Sequence, residues 1–336
     1  MRKQIVALTC VLALALTCGI FTKDAQAGTK KHTLKVVHTT LAPPSSPRTA
    51  IDELAERVTK ETDGRIKFKI YGIELGDYLE INEMLLRGEV DIMLDPVATT
   101  FDPRWAAMQF PYLVTDYSQA AEFFGPEGFM TGLFKKWADE KGMYWLGTWM
   151  QGFTGVSLNA PATTPEEAKG IKIRSTPVGL VQYIYRYLGF EVAILPYSEV
   201  PTAISTGVVS GQAGGGPAQT WNLVRDINKY YVHYRSDLEM WGIVMNKDSW
   251  NKLEADDQQL IQGIINEIVA KRMTEAEAEE NDYMKKLTDH GLTVIDLIDQ
   301  PEKLARATEL GRQTWPMMEE IIGKDAMDTI RASLKK

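Results

Sequence analysis

Residues 66–94 read IKFKIYGIELGDYLEINEMLLRGEVDIML, and this stretch decides the class of fold. Ile66, Phe68 and Ile70 alternate with Lys67, Lys69 and Tyr71, the period-2 pattern of a half-buried strand. A short helix follows from about Leu79 to Arg87 and stops at Gly88. Val90 to Leu94 then reads as a strand, broken by Asp95-Pro96. A glycine just past a helix can take positive φ without steric cost, so the chain turns directly into the next strand. Upstream, Leu34–Thr39 is strand-like, and Ser45-Ser46-Pro47 offers a turn and a helix start. Ile51, Leu54 and Val58 then recur at helical spacing until Gly64. Strand, helix, strand, helix, strand predicts right-handed βαβ units and a mostly parallel sheet.

A second set of the same build follows. Gly170 precedes a strand at Ile171–Arg174. A helix over roughly Val178–Leu188, a strand at Val192–Leu195, a helix over Ser198–Thr206 and a strand at Val208–Ala213 come next. The segment ISTGVVSGQA at 204–213 echoes LLRGEVDIML at 85–94, each reading helix, glycine, strand. After these two α/β lobes the chain becomes helical. Residues 218–300 hold no proline, and Ile261, Ile264, Ile265, Ile268 and Met273 mark the buried stripe of a long helix beginning near Ala255. The acidic run Glu275–Glu280 reads as a solvated helix face.

The chain has 336 residues and a formal net charge of −8, which excludes the basic face of a nucleic-acid binder. Its 44% hydrophobic and 24% charged composition is ordinary for a globular chain of about two domains, and excludes disorder, coiled coil and collagen as the main architecture. Arg2 and Lys3, the 17-residue apolar run Ile5–Phe21 and Ala25-Gln26-Ala27 form the three parts of an export signal, with cleavage expected after Ala27. An uncleaved anchor is the competing reading, and a lipoprotein is disfavoured by Thr17 before Cys18. Cleavage removes both cysteines and takes the net charge to −10. The mature chain then depends on its core rather than on disulfides. No later segment reaches 18 consecutive apolar residues, so no direct membrane insertion is expected.

Catalytic sets are scarce. The four histidines, His32, His38, His233 and His290, show no zinc spacing. No G-x-S-x-G elbow or P-loop is present, and Gly214-Gly215-Gly216 lacks the residues that follow in a phosphate-binding loop. That triplet is either a sharp turn or a place where a ligand meets bare backbone. Trp145, Trp149, Trp221 and Trp241 lie near strand ends and are either core residues or parts of an aromatic-walled pocket. Arg174, in GIKIRSTP, stands at the carboxyl end of a strand, where open α/β sheets gather ligands. Its planar fork matches a carboxylate. An ion pair with a neighbouring acid and a ligand-binding role are equally compatible with the spacing.

GIKIRSTP and LGFEVAILPYSEVPTAISTGVVSGQ resemble the signature of the TRAP-type (tripartite ATP-independent periplasmic) solute-binding proteins, the DctP family. ELAERVTKETDGRIKFKIY, ELGDYLEINEMLLRGEVDIML, WLGTWMQGF, TTPEEAKGIKIR and MNKDSWNKLEADDQQLI extend the similarity over about 250 residues. The resemblance implies a two-lobe periplasmic binding protein with crossing strands and a long helix spanning both lobes. It implies lobe I at 28–150, completed by about 241–275, and lobe II at 151–240, completed by about 276–336. The implied role is capture of a small organic anion in the periplasm and its delivery to an ion-gradient-driven permease with small and large subunits. Catalysis, cofactor and metal are not implied.

The family's carboxylate-binding arginine falls on Arg174. Thr154 stands where many members carry a further arginine, Ser210 replaces the usual aspartate before Gly211, and Ala213–Pro217 departs from the usual acid-Asn-Pro. Loss of a second basic anchor points to a monocarboxylate with a bulky or aromatic body, with a C4-dicarboxylate, a sulfonate or a sensor role as alternatives and an exported hydrolase as the remaining one. Trp149, Phe153, Trp221 and Trp241 are candidate walls. Gln151, Thr154, Gln212, Gly214 and His38 are candidate polar or backbone contacts, followed by Asp95 and Glu74.

Overall fold

The computed structural model describes residues 29–39, 45–114, 116–176 and 179–334. The expected signal segment and its cleavage site lie outside them. Eleven strands are present among these residues: β1 (His32–Val37), β2 (Ile66–Tyr71), β3 (Ile92–Asp95), β4 (Met143–Phe153), β5 (Gly155–Leu158), β6 (Lys172–Ser175), β7 (Glu191–Ile194), β8 (Gly211–Gly215), β9 (Tyr230–His233), β10 (Leu238–Asn246) and β11 (Thr293–Asp296). They form two sheets, ordered β2-β1-β3-β10-β4 and β11-β9-β5-β8-β6-β7.

The opening stretch folds as its pattern predicts. β1 pairs in parallel with β2 and β3, placing Val36 beside Ile70 and Ile92. The helix Ser46–Glu61 lays Ala50, Ile51, Leu54 and Val58 onto this sheet. The helix Tyr78–Arg87 starts on a reciprocal cap, in which Asp77 accepts from the Glu80 backbone and Glu80 accepts from the Asp77 backbone. It ends at Gly88, where φ is +72°. In the second sheet β6 runs parallel to β7 and β8.

Both sheets are mixed: the first has two parallel and two antiparallel pairings, which corrects the expectation of a mostly parallel sheet there, and the second has three parallel and two antiparallel. β10 is antiparallel to both β3 and β4, and β5 is antiparallel to β8 and β9. The cause is the path between lobes. β4 carries the chain out of the first sheet and, one residue later, β5 enters the second; β9 leaves the second sheet and β10 returns to the first. Strands that enter and leave in this way must oppose their neighbours.

The helix Ala255–His290 has 36 residues, about 54 Å at 1.5 Å per residue. Ile261, Ile264, Ile265, Ile268 and Val269 pack on the first lobe, and Leu287 joins Tyr231 and Leu292 on the second. Its acidic run is not uniformly solvated, because Glu280 is buried at the crossing of the strands. β11 and the helix Pro301–Gly311 lie with the second sheet. The helices Trp315–Ile322 and Lys324–Ser333, expected there too, pack on the first lobe instead. They place Met318, Met327 and Ile330 into its aromatic core. Among the described residues, no helix is long and apolar enough to cross a membrane.

Candidate ligand site

β6 is a short strand between β7 and β8, and its third residue is Arg174, in register with Ala193 and Gln212. The side chain is 4% exposed. Its Nε donates to the Leu195 carbonyl at 2.9 Å, and the guanidinium lies 5.7 Å from the centre of the Tyr197 ring. Among the described residues no carboxylate lies within 4 Å of it. Burial lowers its pKa to about 10, while Tyr197, Tyr78 and Glu239 act in the opposite sense. It therefore stays charged at neutral pH. Tyr78 opens a helix of the first lobe, so the guanidinium feels a group across the gap between lobes. An internal ion pair, one of the two roles open from sequence, is absent among the described residues.

Gln212 sits on the same face of the sheet as Arg174, because residues in register on parallel strands project together. It is 5% exposed, and its Oε1 has no hydrogen-bond partner among the described residues. The glycines beside it leave room. A Cβ on Gly215 would come within 2.8 Å of Gln212 Nε2 and 2.9 Å of Gln219 Oε1. Gln219 in turn donates to Glu239 Oε2 at 3.1 Å, and Trp241 Nε1 donates to Glu239 Oε1 at 3.0 Å. Burial pushes Glu239 up to about 8, with Asp237 adding to the rise and Arg174 among the groups opposing it. Arg174, Gln212, Glu239 and Trp241 thus form one connected neighbourhood.

The first-lobe candidates gather at the carboxyl ends of β1 and β3. Asp95 is fully buried and accepts from the Thr39 backbone at 2.8 Å and from Thr39 Oγ1 at 2.5 Å. Burial raises its pKa to about 7 against those bonds. It is in register with Gly242, next to Trp241. His38 is buried; burial, with Arg48, lowers its pKa to about 4. Glu74 is exposed, accepts from the Gly72 backbone at 2.8 Å and acts electrostatically on His38.

The remaining candidates are elsewhere. Trp149 pairs with Trp241 across β4 and β10, donates to Gln151 Oε1 at 3.1 Å and lies under Arg272 at 5.2 Å. With Arg272, Glu279 and Tyr283 it lines a separate cavity of about 250 Å³. Phe153 is buried between Tyr117 and Arg235. Thr154 is buried and donates to Asp237 Oδ1 at 2.6 Å, with Ser236 Oγ 2.8 Å away. Gly214 takes φ +76° and donates to Tyr185 Oη at 3.3 Å. Trp221 packs edge-on to His290 at the end of the long helix, with Arg225 over its ring. Trp145 stacks on Trp105 in the first core. The tryptophans therefore do not share one wall, because those on outer helices and sheet edges fill separate cores.

Sequence reasoning missed Tyr78, Tyr197, Gln219 and Glu239. Glu239 had a signal: it is the lone acid within the apolar run Leu238–Met245. Among the described residues no group of three His, Cys, Asp or Glu could hold a metal.

Two α/β lobes joined by crossing strands, with a buried arginine near the end of a strand in the second, define a two-lobed solute-binding protein. The family profile "Bacterial extracellular solute-binding protein, family 7" matches residues 37–320. The chain belongs to this family, the DctP solute-binding proteins of TRAP transporters, which are binding proteins and not enzymes. A relative from Verminephrobacter eiseniae, named a solute-binding protein, is 30% identical over 302 residues, covering 84% of each chain. The C4-dicarboxylate-binding periplasmic protein DctP of Rhodobacter capsulatus is 25% identical over 287 residues, again covering 84% of each. A TRAP periplasmic solute-binding protein from Desulfovibrio salexigens, solved with bound orotic acid, superimposes with a TM-score of 0.81 at 21% identity, covering 91% of this chain and 98% of that one.

Proposed function

We propose that this protein captures a small monocarboxylate with a bulky or aromatic body in the periplasm and delivers it to a permease with small and large subunits, after export and cleavage following Ala27. Arg174 takes the carboxylate. The single observation behind this reading is a buried guanidinium with no carboxylate in contact among the described residues, since a buried charge needs a counter-ion. Thr154, where many relatives carry a second arginine, is bonded to Ser236 and Asp237, which supports a single anionic anchor. Asp95 and Glu239 also disfavour a second carboxylate nearby. The C4-dicarboxylate reading draws on the Rhodobacter capsulatus relative's name. The orotic acid of the Desulfovibrio salexigens protein has one carboxylate on a flat ring, as the preferred reading requires.

A micromolar dissociation constant needs about 8 kcal/mol, within reach of one bidentate arginine pair and modest aromatic burial. An anion contacting both lobes would also favour the closed state. The test is a thermal-shift screen of the mature protein against monocarboxylates, dicarboxylates and sulfonates, with tryptophan fluorescence as a second readout. A ligand of the folded state must raise the melting temperature. Stabilisation by succinate or malate, with bulky monocarboxylates inert, would replace this reading with the dicarboxylate one.

A further inference from the structure

We propose that the ligand is a zwitterion, whose carboxylate is taken by Arg174 and whose protonated amine is taken by Glu239 and Gln212. This deepens the reading above and rests on it.

The argument begins with charge. Arg174 and a bound carboxylate cancel. Glu239 is 7% exposed, and among the described residues its oxygens accept from the neutral donors Trp241 and Gln219. No lysine, arginine or histidine nitrogen lies within 4 Å of it among the described residues. A simple anion would therefore leave Glu239 as an unbalanced buried charge or force it to hold a proton. A ligand ammonium balances it. A carboxylate has about four acceptor positions, and two bonds leave room for such a donor.

The second observation is independent. Gln212 Oε1 is a buried acceptor with no partner among the described residues, on the residue in register with Arg174. An unmade bond at a buried polar atom is costly, and a ligand N–H would supply it. Gly215 keeps the space between Gln212 and Gln219 free of a side chain. A guanidinium donor edge and two acceptors thus lie in one neighbourhood, which is the polarity of an amino acid's head group.

Protonation gives a second readout. Burial holds Glu239 up to about 8, so its carboxyl in the empty site mostly keeps its proton at pH 7. The charged or titratable groups acting on it are Arg174 from β6, Asp237 just before its own strand and Tyr197 beyond β7; Trp241 and Gln219 are uncharged. An arriving ammonium draws off the Glu239 proton, whereas a simple acid does not.

The experiment is calorimetry on the mature protein with matched series: L-phenylalanine, 3-phenyllactate and 3-phenylpropionate; L-leucine, 2-hydroxy-4-methylpentanoate and 4-methylpentanoate. We expect an amino member to bind at least tenfold tighter than its hydroxy and des-amino partners, with proton release seen as a buffer-dependent enthalpy. Glu239→Gln should shrink that preference and abolish the buffer-dependent proton release. Equal or tighter binding of the hydroxy or des-amino members overturns this inference and leaves the organic-anion reading intact. Failure of every member of every series overturns both. The wild-type comparison decides the matter even should the variant fold poorly.

Discussion

Arg174 Nε donates to the carbonyl of Leu195 at 2.9 Å, so one edge of the guanidinium is fixed by the backbone. A rigid fork aimed by a strand end costs little rotamer entropy when a carboxylate arrives. We expect Arg174→Ala to weaken binding of the ligand found by screening at least tenfold. Arg174→Lys should recover only part of the loss, because an ammonium cannot both hold Leu195 and grip two oxygens. Calorimetry decides: unchanged affinity in the alanine variant removes the anchor.

Glu239 and Asp95 make the folded protein sensitive to base. Burial lifts Glu239 from 4.5 to about 8 and Asp95 from 3.8 to about 7. Between those limits the native state holds protons that the unfolded chain releases, so stability contributed by these groups is present below about pH 4 and is lost as pH rises through 7 and 8. Glu239→Gln removes one of the two. The variant should melt higher than wild type at pH 9, by about 4 °C or more, with no advantage at pH 5. Thermal unfolding at pH 5, 7 and 9 measures the gap, and a constant difference across that range would show that Glu239 does not titrate as described.

What the sequence made legible follows from local physics. Alternation at 66–70, the glycine stop at Gly88 and the isoleucine stripe of the long helix depend on neighbours a few residues away, and these elements formed where expected. Arg174 was legible because its strand ends at a turn. The antiparallel pairing of β4 with β10 joins residues about 90 positions apart and leaves no local trace. Glu280 reads as one acid of a solvated run, yet the helix rotation turns it toward Phe153 and Tyr117. Tyr197 meets Arg174 only once β7 is laid beside β6, and Tyr78 acts on it only once the two lobes are brought together. The tryptophans misled because burial and pocket lining have the same composition.

Gly214 tests the backbone of the site. Its φ of +76° lies in the left-handed region, and a Cβ would meet Val181 Cγ1 at 2.8 Å. The second glycine-specific demand is therefore steric as well as conformational. Gly214→Ala should cost about 1–3 kcal/mol in urea unfolding. It should also weaken binding, since β8 carries Gln212. The same substitution at Gly263, in the long helix with open space around it, should cost nothing.

Arg272 tests how the long helix holds the strand that leaves the first lobe. Its Nε donates to the Met150 carbonyl at 2.6 Å and its Nη2 to the Gln151 carbonyl at 2.9 Å; Nη1 pairs with Glu279, and the plane covers Trp149. Two turns further on, Glu280 accepts from the Phe153 backbone at 2.8 Å and from Tyr117 Oη at 2.7 Å. Consecutive stretches of β4 are thus bonded to one helix by charged groups, each such bond contributing about 1.5–3 kcal/mol. Arg272→Ala should destabilise by at least about 2 kcal/mol, because two carbonyls at the crossing lose their donors. Glu280→Gln should cost less than Glu280→Ala, since the amide oxygen can still accept both bonds. Urea midpoints followed by tryptophan fluorescence will rank the three variants. An Arg272→Ala midpoint equal to wild type would mean that backbone pairing of β4 with β10 alone sets the crossing, and that the helix only covers it.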